Sequence, residues 1–275
     1  MNTNNTADDN CTDYILRFKT VQASGIQKLI ECMKDILTDV NWEFDSSGIK
    51  VICMDGSHVC LINMKLNQEN FEYFYCPNKI KVGISMNNFA KLIKNIGNND
   101  AIEMHITTKN ENVLTIMIDN MDKNISTVVN LKLLDIDDAD ISIPDTTPDT
   151  IITMSSQELQ RYFRDLLIVS DILHVEACSE YLKLSCNGDF ADKCVLIKGG
   201  SNNNEDSQVS SSISHKQIVK GRFSLKYLNL FTKGSTNMCS VVEIMLKNDY
   251  PIIIKYAVAS LGHITFCLAP KVDDS

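Results

Sequence analysis

The residues of this 275-residue chain that could hold a metal or drive a reaction are ten cysteines, five histidines and a cluster of aspartates. The cysteines stand singly at 11, 32, 53, 60, 76, 178, 186, 194, 239 and 267, with no Cys-x-x-Cys pair. Most have apolar neighbours, as in Ile52-Cys53-Met54 and Phe266-Cys267-Leu268, and read as buried thiols acting as small hydrophobes. His58, His105, His174, His215 and His263 are scattered without ligand spacing. Asp135, Asp137, Asp138 and Asp140 could in principle surround Mg²⁺ or Ca²⁺, but the segment lacks the glycine and terminal glutamate of an EF-hand loop. Gly-x-Ser-x-Gly, Gly-x-x-x-x-Gly-Lys-Ser/Thr, His-Glu-x-x-His and Gly-x-Gly-x-x-Gly are all absent. The expectation is a non-enzyme with no catalytic residue, metal site or cofactor.

Charge is the remaining chemistry. Lys and Arg number 26 against 35 Asp and Glu, a net of −9, which taken alone disfavours a polyanionic partner. A composition of 44% hydrophobic and 22% charged residues is that of an ordinary globular protein, and it excludes wholesale disorder or a fibre. No apolar run approaches the ~18 residues of a membrane helix, so no membrane partner is expected. The polar, acidic first thirteen residues are unlike a signal peptide, which points to a reducing compartment.

Positioning these groups falls to short alternating strands, read over 14–21, 48–53, 113–118, 127–134, 181–185, 241–246 and 264–268. Helical periods occur only over 23–37, 86–97, 155–170 and 222–234. Ser24 stands at the start of the first, and Ser155-Ser156 with Glu158 opens the third as an N-cap. Gly97 and Gly234 follow the second and fourth, where a positive φ is favoured. The order repeats: Lys34-Asp35-Ile36-Leu37 in the first helix is echoed by Arg164-Asp165-Leu166-Leu167 in the third. Each half therefore reads strand, helix, strands, helix, strands, and an α+β chain of two similar domains is expected. Residues 134–149, with six aspartates, two prolines and no basic residue, read as a linker between domains at 14–133 and 150–275. The tract from Gly199 to Gln217 reads as a surface loop.

The helical windows hold nine basic and four acidic side chains, a surplus of five. The rest of a chain of net −9 then carries −14. One amphipathic helix with a basic face is an ordinary solvated surface. Four such helices in an acidic body read instead as one surface that meets a polyanion.

Met54-Asp-Gly-Ser-His-Val-Cys-Leu61, Tyr227-Leu-Asn-Leu-Phe-Thr-Lys233, Gly262-His263 and Leu268-Ala-Pro-Lys-Val-Asp-Asp274 resemble the signature segments of proliferating cell nuclear antigens, the eukaryotic-type DNA sliding clamps. Lys34-Asp35, Leu133-Leu-Asp-Ile-Asp137 and Ile143-Pro144 fall between them in matching order, so the resemblance runs from Tyr14 to Asp274. It implies the DNA clamp fold: a homotrimeric ring with antiparallel sheets outside and basic helices lining a hole that encircles duplex DNA. The lining residues it implies are Lys28, Lys34, Lys91, Lys94, Arg161, Arg164, Lys226 and Lys233. It further implies a processivity factor for DNA polymerase, at work in replication and repair. Polymerase, clamp loader, flap nuclease and ligase would dock through short peptide motifs in a pocket formed by Met54, His58, Val59, Leu61, Ile141, Ile143, Pro144, Asp249, Pro251, Ala269 and Pro270. The expected location is the nucleus, or a viral replication compartment.

Several positions depart from the family pattern. Residues 1–13 form an extension, Gln27 replaces a basic residue, Ile168 a frequent histidine, and Cys267 an aromatic residue of the pocket rim. Ser179 stands where eukaryotic clamps carry a lysine for ubiquitin attachment. Such departures fit a divergent protist or large-virus clamp. The alternatives are a paralogous or monomeric clamp-fold subunit and, from another class, a β-rich structural protein, for which duplicated basic helices have no purpose.

Overall fold

The computed structural model describes residues 13–120, 122–137, 141, 147–178, 180–198, 212–215, 218–234 and 238–271. The first half runs β1 (Tyr14–Thr20), α1 (Ala23–Met33), β2 (Asp39–Asp45), β3 (Gly48–Met54), β4 (Cys60–Asn67), β5 (Tyr73–Tyr75), β6 (Ile80–Ser85), α2 (Met86–Leu92), β7 (Asp100–Thr107), β8 (Asn110–Asn120) and β9 (Ile125–Lys132). The second repeats that order as β10 (Thr150–Ser155), α3 (Ser156–Leu167), β11 (Ile172–Ala177), β12 (Tyr181–Asn187), β13 (Asp192–Lys198), β14 (Ser212–His215), β15 (Val219–Ser224), α4 (Leu225–Lys233), β16 (Val241–Leu246), β17 (Ile252–Val258) and β18 (Gly262–Leu268). The expected duplication is present element by element. The tract 199–217, read as a loop, contains β14, which pairs with β10; the rest of it lies outside the described residues.

All named pairings are antiparallel. Each half makes a five-stranded and a four-stranded sheet, in the orders β5-β1-β7-β8-β9 and β6-β2-β3-β4 for the first half, and β14-β10-β16-β17-β18 and β15-β11-β12-β13 for the second. Edge strands β18 and β4 pair along seven residues, Gly262↔Leu66 to Leu268↔Cys60, fusing two of these sheets into one of nine strands. The equivalent edges, β9 and β13, are open among the described residues.

Strand alternation sends one face of each sheet against the helices. Helix α1 buries Ile26, Leu29, Ile30 and Met33, and α3 buries Leu159, Phe163 and Leu166, both at i, i+3/i+4, i+7 spacing. Trp42 meets Phe89 edge-to-face at 5.9 Å in the first half; Phe231 stacks on Phe266 at 4.8 Å in the second. Cys32, Cys60, Cys76 and Cys186 are buried among these groups as expected, whereas Cys194 on β13 is exposed.

Several helix boundaries differ from the sequence reading. Ser24 lies inside α1, whose N-cap is Gln22; the Gln22 side chain instead binds Ser260, accepting from its backbone N–H at 3.0 Å. Ser155 does cap α3, but without a side-chain bond, and Ser156 Oγ donates to the Cys239 carbonyl. Helix α2 stops at Leu92, five residues before Gly97, and neither Gly97 nor Gly234 has a positive φ. Gly234 is needed for space: a Cβ there would stand 3.0 Å from Cys32 Cα.

Candidate nucleic-acid interface and peptide pocket

The four helices form one row. Helix α1 packs on α2, α3 on α4, and α1 also meets α4, giving the order α2–α1–α4–α3. Equivalent glutamines lace each half: Gln27 Nε2 donates to Lys94 O at 2.7 Å, and Gln160 Nε2 to Thr232 O at 3.2 Å. Lys233 Nζ donates to Asp35 Oδ2 at 2.9 Å and ties the end of α4 to the end of α1.

Since the apolar faces are buried, the basic side chains point away from the sheets. Lys91, Lys94, Arg161, Arg164, Lys226 and Lys233 are exposed, and Lys28 and Lys34 partly so. Lys34 is the C-cap of α1 and Lys94 lies two residues past α2, so both sit at helix ends. Arg222 does not belong to this surface: it is in β15, on the sheet face away from the helices, because Phe223 takes the inward position. The helices proper therefore hold six basic and three acidic residues, still a positive surplus. Ile168, the C-cap of α3, is 72% exposed.

Ion pairing divides the row. Lys226 binds Asp171 at 2.8 Å and Lys233 binds Asp35 at 2.9 Å; Arg161 and Arg164 lie 3.8 and 3.9 Å from Glu158 and Asp165. Among the described residues, Lys28, Lys34, Lys91 and Lys94 have no carboxylate partner. Exposed pairs contribute ~0–1 kcal/mol, so the paired side chains can be released to another anion at little cost.

Residues of the expected pocket surround the β3–β4 turn, which is organised by the buried carboxylate of Asp55. Its Oδ1 accepts the Val59 and Cys60 backbone N–H groups at 2.9 and 2.7 Å; its Oδ2 accepts Tyr227 Oη–H of α4 at 2.6 Å, together with Ser57 N–H and Oγ–H. Burial would raise this carboxyl's pKa, but the hydrogen bonds outweigh it and hold the group well below the usual carboxylate range. His58 takes φ 57° at the turn tip. Beyond β18, Ala269 N–H donates to Val59 O at 3.0 Å, which brings the C-terminal strand's exit beside the turn.

Strand register adds residues that the sequence reading missed. Met54 pairs with Leu61, Leu61 with Cys267, Cys267 with Ile253, Ile253 with Met245, and Met245 with Ile151. These six side chains make an outward-facing apolar row across both halves, partly or fully exposed throughout. The next outward row holds Asn63, Thr265, Lys255 and Glu243. The available signal was unbroken apolar runs, Ile252-Ile-Ile254 and Ile151-Ile152, where one residue in two should be polar. Pro251 leads into β17, while Asp249 and Pro270 sit at the rim of a separate cavity.

The aspartate-rich segment begins against the first half. Leu134 N–H donates to Gly83 O at 2.8 Å, Asn41 Nδ2 donates to Ile136 O at 3.0 Å, and a Cβ on Gly83 would stand 2.3 Å from Leu134 O. Ile141 is half-buried; Ile143, Pro144, Asp138, Asp140 and Ser179 lie outside the described residues. Among the described residues, no three His, Cys, Asp or Glu side chains converge on a metal site.

Comparison with known proteins accounts for this geometry. Residues 15–141 match the family model of the proliferating cell nuclear antigen N-terminal domain, and residues 142–271 that of its C-terminal domain. A "Probable DNA polymerase sliding clamp 1" from Paramecium bursaria Chlorella virus 1 is 34% identical over 96% of this chain and 98% of its own. The proliferating cell nuclear antigen of Dictyostelium discoideum is 31% identical over 93% of this chain and 98% of its own. With both domain models spanning a duplicated, helix-lined β architecture, the chain belongs to the proliferating cell nuclear antigen family.

Proposed function

We propose that this chain is a non-enzymatic sliding clamp: a homotrimeric ring that encircles duplex DNA and holds DNA polymerase on its template. The clamp names of its relatives support this reading. The observation that carries it is the single row of four helices with outward basic side chains, backed by sheets in which the edge strands β9 and β13 are the structural repeats of β18 and β4, a pair already joined. Joining β9 of one copy to β13 of the next would rebuild the nine-stranded sheet that β18 and β4 complete inside each chain. Edges closed in this way cannot recruit stray strands.

Sliding requires attraction without base readout, because a protein held by base edges cannot move. Lysine suits this, meeting phosphates as a flexible point charge. Lys28, Lys34, Lys91, Lys94, Arg161, Arg164, Lys226 and Lys233 are the proposed phosphate contacts, and ring closure supplies the residence time that such weak contacts lack.

In this reading domains 14–133 and 150–275 are joined by the linker 134–149, and the apolar row beside the Asp55 turn takes partner peptides. Met54, His58, Val59, Leu61, Ile141, Ile143, Pro144, Asp249, Pro251, Ala269 and Pro270, together with Cys267 and Ile253, form or border that pocket. Polymerase, clamp loader, flap nuclease and ligase are the proposed partners, in a nucleus or a viral replication compartment. Sedimentation at micromolar concentration with retention on circular DNA is the test. A mass near three times 30.9 kDa, with release on linearising the DNA, is expected. A strict monomer, or equal retention on both forms, removes the ring.

A further inference from the structure

Away from the helices, the four-stranded sheet of the second half carries a cavity of about 620 Å³. It is lined by outward side chains of three strands: His174 and Glu176 of β11, Lys183 and Ser185 of β12, and Lys220 and Arg222 of β15. Asp249, Tyr250, Pro270 and Lys271 close its rim. Register makes two rows of these groups, Ser185–His174–Arg222 and Lys183–Glu176–Lys220. Four of the lining side chains are cationic and two anionic, on a chain whose net charge is −9. Glu176 is already engaged, with Oε1 accepting Tyr181 Oη–H at 2.6 Å and Oε2 3.4 Å from Lys220 Nζ. His174 is held towards its neutral form by burial and by Arg222 beside it, so the cationic groups are the lysines and the arginine.

This cavity, separate from the proposed peptide pocket, is reached from it along two short stretches of chain. Ala269 N–H bonds to the Val59 carbonyl at the pocket turn, and two residues on, Lys271 N–H bonds to the Arg222 carbonyl inside the cavity at 2.8 Å. The β16–β17 turn likewise leads from Asp249 and Tyr250 at the cavity into Pro251 and Ile253 of the apolar row. The surroundings of the row differ in charge: Asp135 and Asp137 stand where the linker begins against β6 and β2, beyond its Met54 end, whereas Lys271, Arg222, Lys220 and Lys183 line the cavity past the end of β18 and before the start of β17.

We propose that the cavity lined by Lys183, Lys220, Arg222 and Lys271 is a second recognition site, which takes an acidic segment flanking the apolar anchors of a partner peptide. The inference rests on the pocket reading above and adds a polarity to it: acid at the flank away from the linker, none at the flank beside it. Partly exposed charge pairs strengthen binding modestly and steer encounter, and salt screens both effects.

The test uses three peptides with the same aliphatic and aromatic anchors, carrying three aspartates at one end, at the other end, or at neither. They are titrated against the full chain by fluorescence anisotropy at 50 and 300 mM salt. One acidic peptide should bind about 3- to 10-fold more tightly than the neutral one at low salt and lose that advantage at high salt. The other should bind no better than the neutral peptide. Lys220→Glu and Lys271→Glu, both at exposed positions, should abolish the gain and leave the neutral peptide's affinity unchanged. Equal affinity of all three peptides overturns this proposal alone, as does a gain that survives both charge reversals. Loss of binding by all three overturns the pocket reading with it.

Discussion

The two halves of the helix row share a backbone plan and differ in electrostatics. In the first half all four basic residues are lysines without a carboxylate partner among the described residues; in the second, two arginines and two lysines each have one within 2.8–3.9 Å. One pair, Lys233–Asp35, crosses between halves. Both halves keep an apolar buried face at helical spacing, whereas the solvated faces, which no packing constrains, differ in their charges. On the proposed function, the first half would offer bare charge to DNA and the second charge that must leave one anion to meet another. The halves also leave different edges open, β9 in the first and β13 in the second.

The largest effect should come from those edges. Val128 and Leu196 are 57% and 51% exposed on β9 and β13, strands that are paired along one edge and open along the other. Val128→Asp with Leu196→Asp should lower the sedimenting mass to that of one chain without unfolding it. Exposed Cys194 of β13 should then react readily with a thiol reagent, while Cys32, whose pKa burial pushes up to about 12, stays unreactive in either state. A full-mass ring with both aspartates would show that assembly uses another surface.

Next in size is the helix comparison itself. Changing Lys28, Lys34, Lys91 and Lys94 together to alanine should flatten the slope of log affinity against log salt by up to about 0.9 per lost phosphate contact. The matching change of Arg161, Arg164, Lys226 and Lys233 should flatten it less. Neutralising Glu158, Asp165, Asp171 and Asp35 as amides should steepen it. Identical slopes for the two basic quadruples would erase the distinction between halves.

A smaller effect probes one of the contacts that join the halves, at the turn beside the proposed peptide pocket. Asp55 is in the first half and Tyr227 in the second, so Tyr227→Phe or Asp55→Asn should cost about 1–3 kcal/mol in urea unfolding at pH 7. The Asp55 carboxyl is held below its ordinary value in the folded state, so its contribution is full above the unfolded pKa near 4. It fades as pH falls through that value towards the folded one. The gap between wild type and Asp55→Asn should therefore narrow from pH 5 to pH 2.5; a constant gap would mean that the carboxylate charge is not what stabilises the turn. Leu61→Ala and Ile253→Ala, one from each half, should each weaken a partner peptide by roughly 1–3 kcal/mol and leave the salt slope of DNA binding untouched. An effect of Leu61→Ala alone would confine the pocket to the first half.

Much of this molecule is legible in one dimension. Strand alternation, helical periods and the order in which they repeat follow from which residues are apolar, since a sheet must bury every second side chain and a helix one face in 3.6. The basic bias of the helices and the absence of catalytic motifs are likewise properties of residue type and spacing. Three things required the fold. Arg222 lies four residues before Lys226, yet Phe223 claims the core and turns it to the opposite side of the sheet, where it lines a cavity with Lys183 and Lys271. The apolar row from Met54 to Ile151 is assembled from six strands whose neighbours in space are set by hydrogen-bond register, and register depends on pairings between residues as far apart in sequence as Leu61 and Cys267. Two of the carboxylates that quiet the second half's cations, Asp171 and Asp35, reach Lys226 and Lys233 only when α4 is packed against the start of β11 and against α1. Periodicity is local and survives in the unfolded chain; register, sidedness across a sheet and charge pairing exist only once distant segments share a surface.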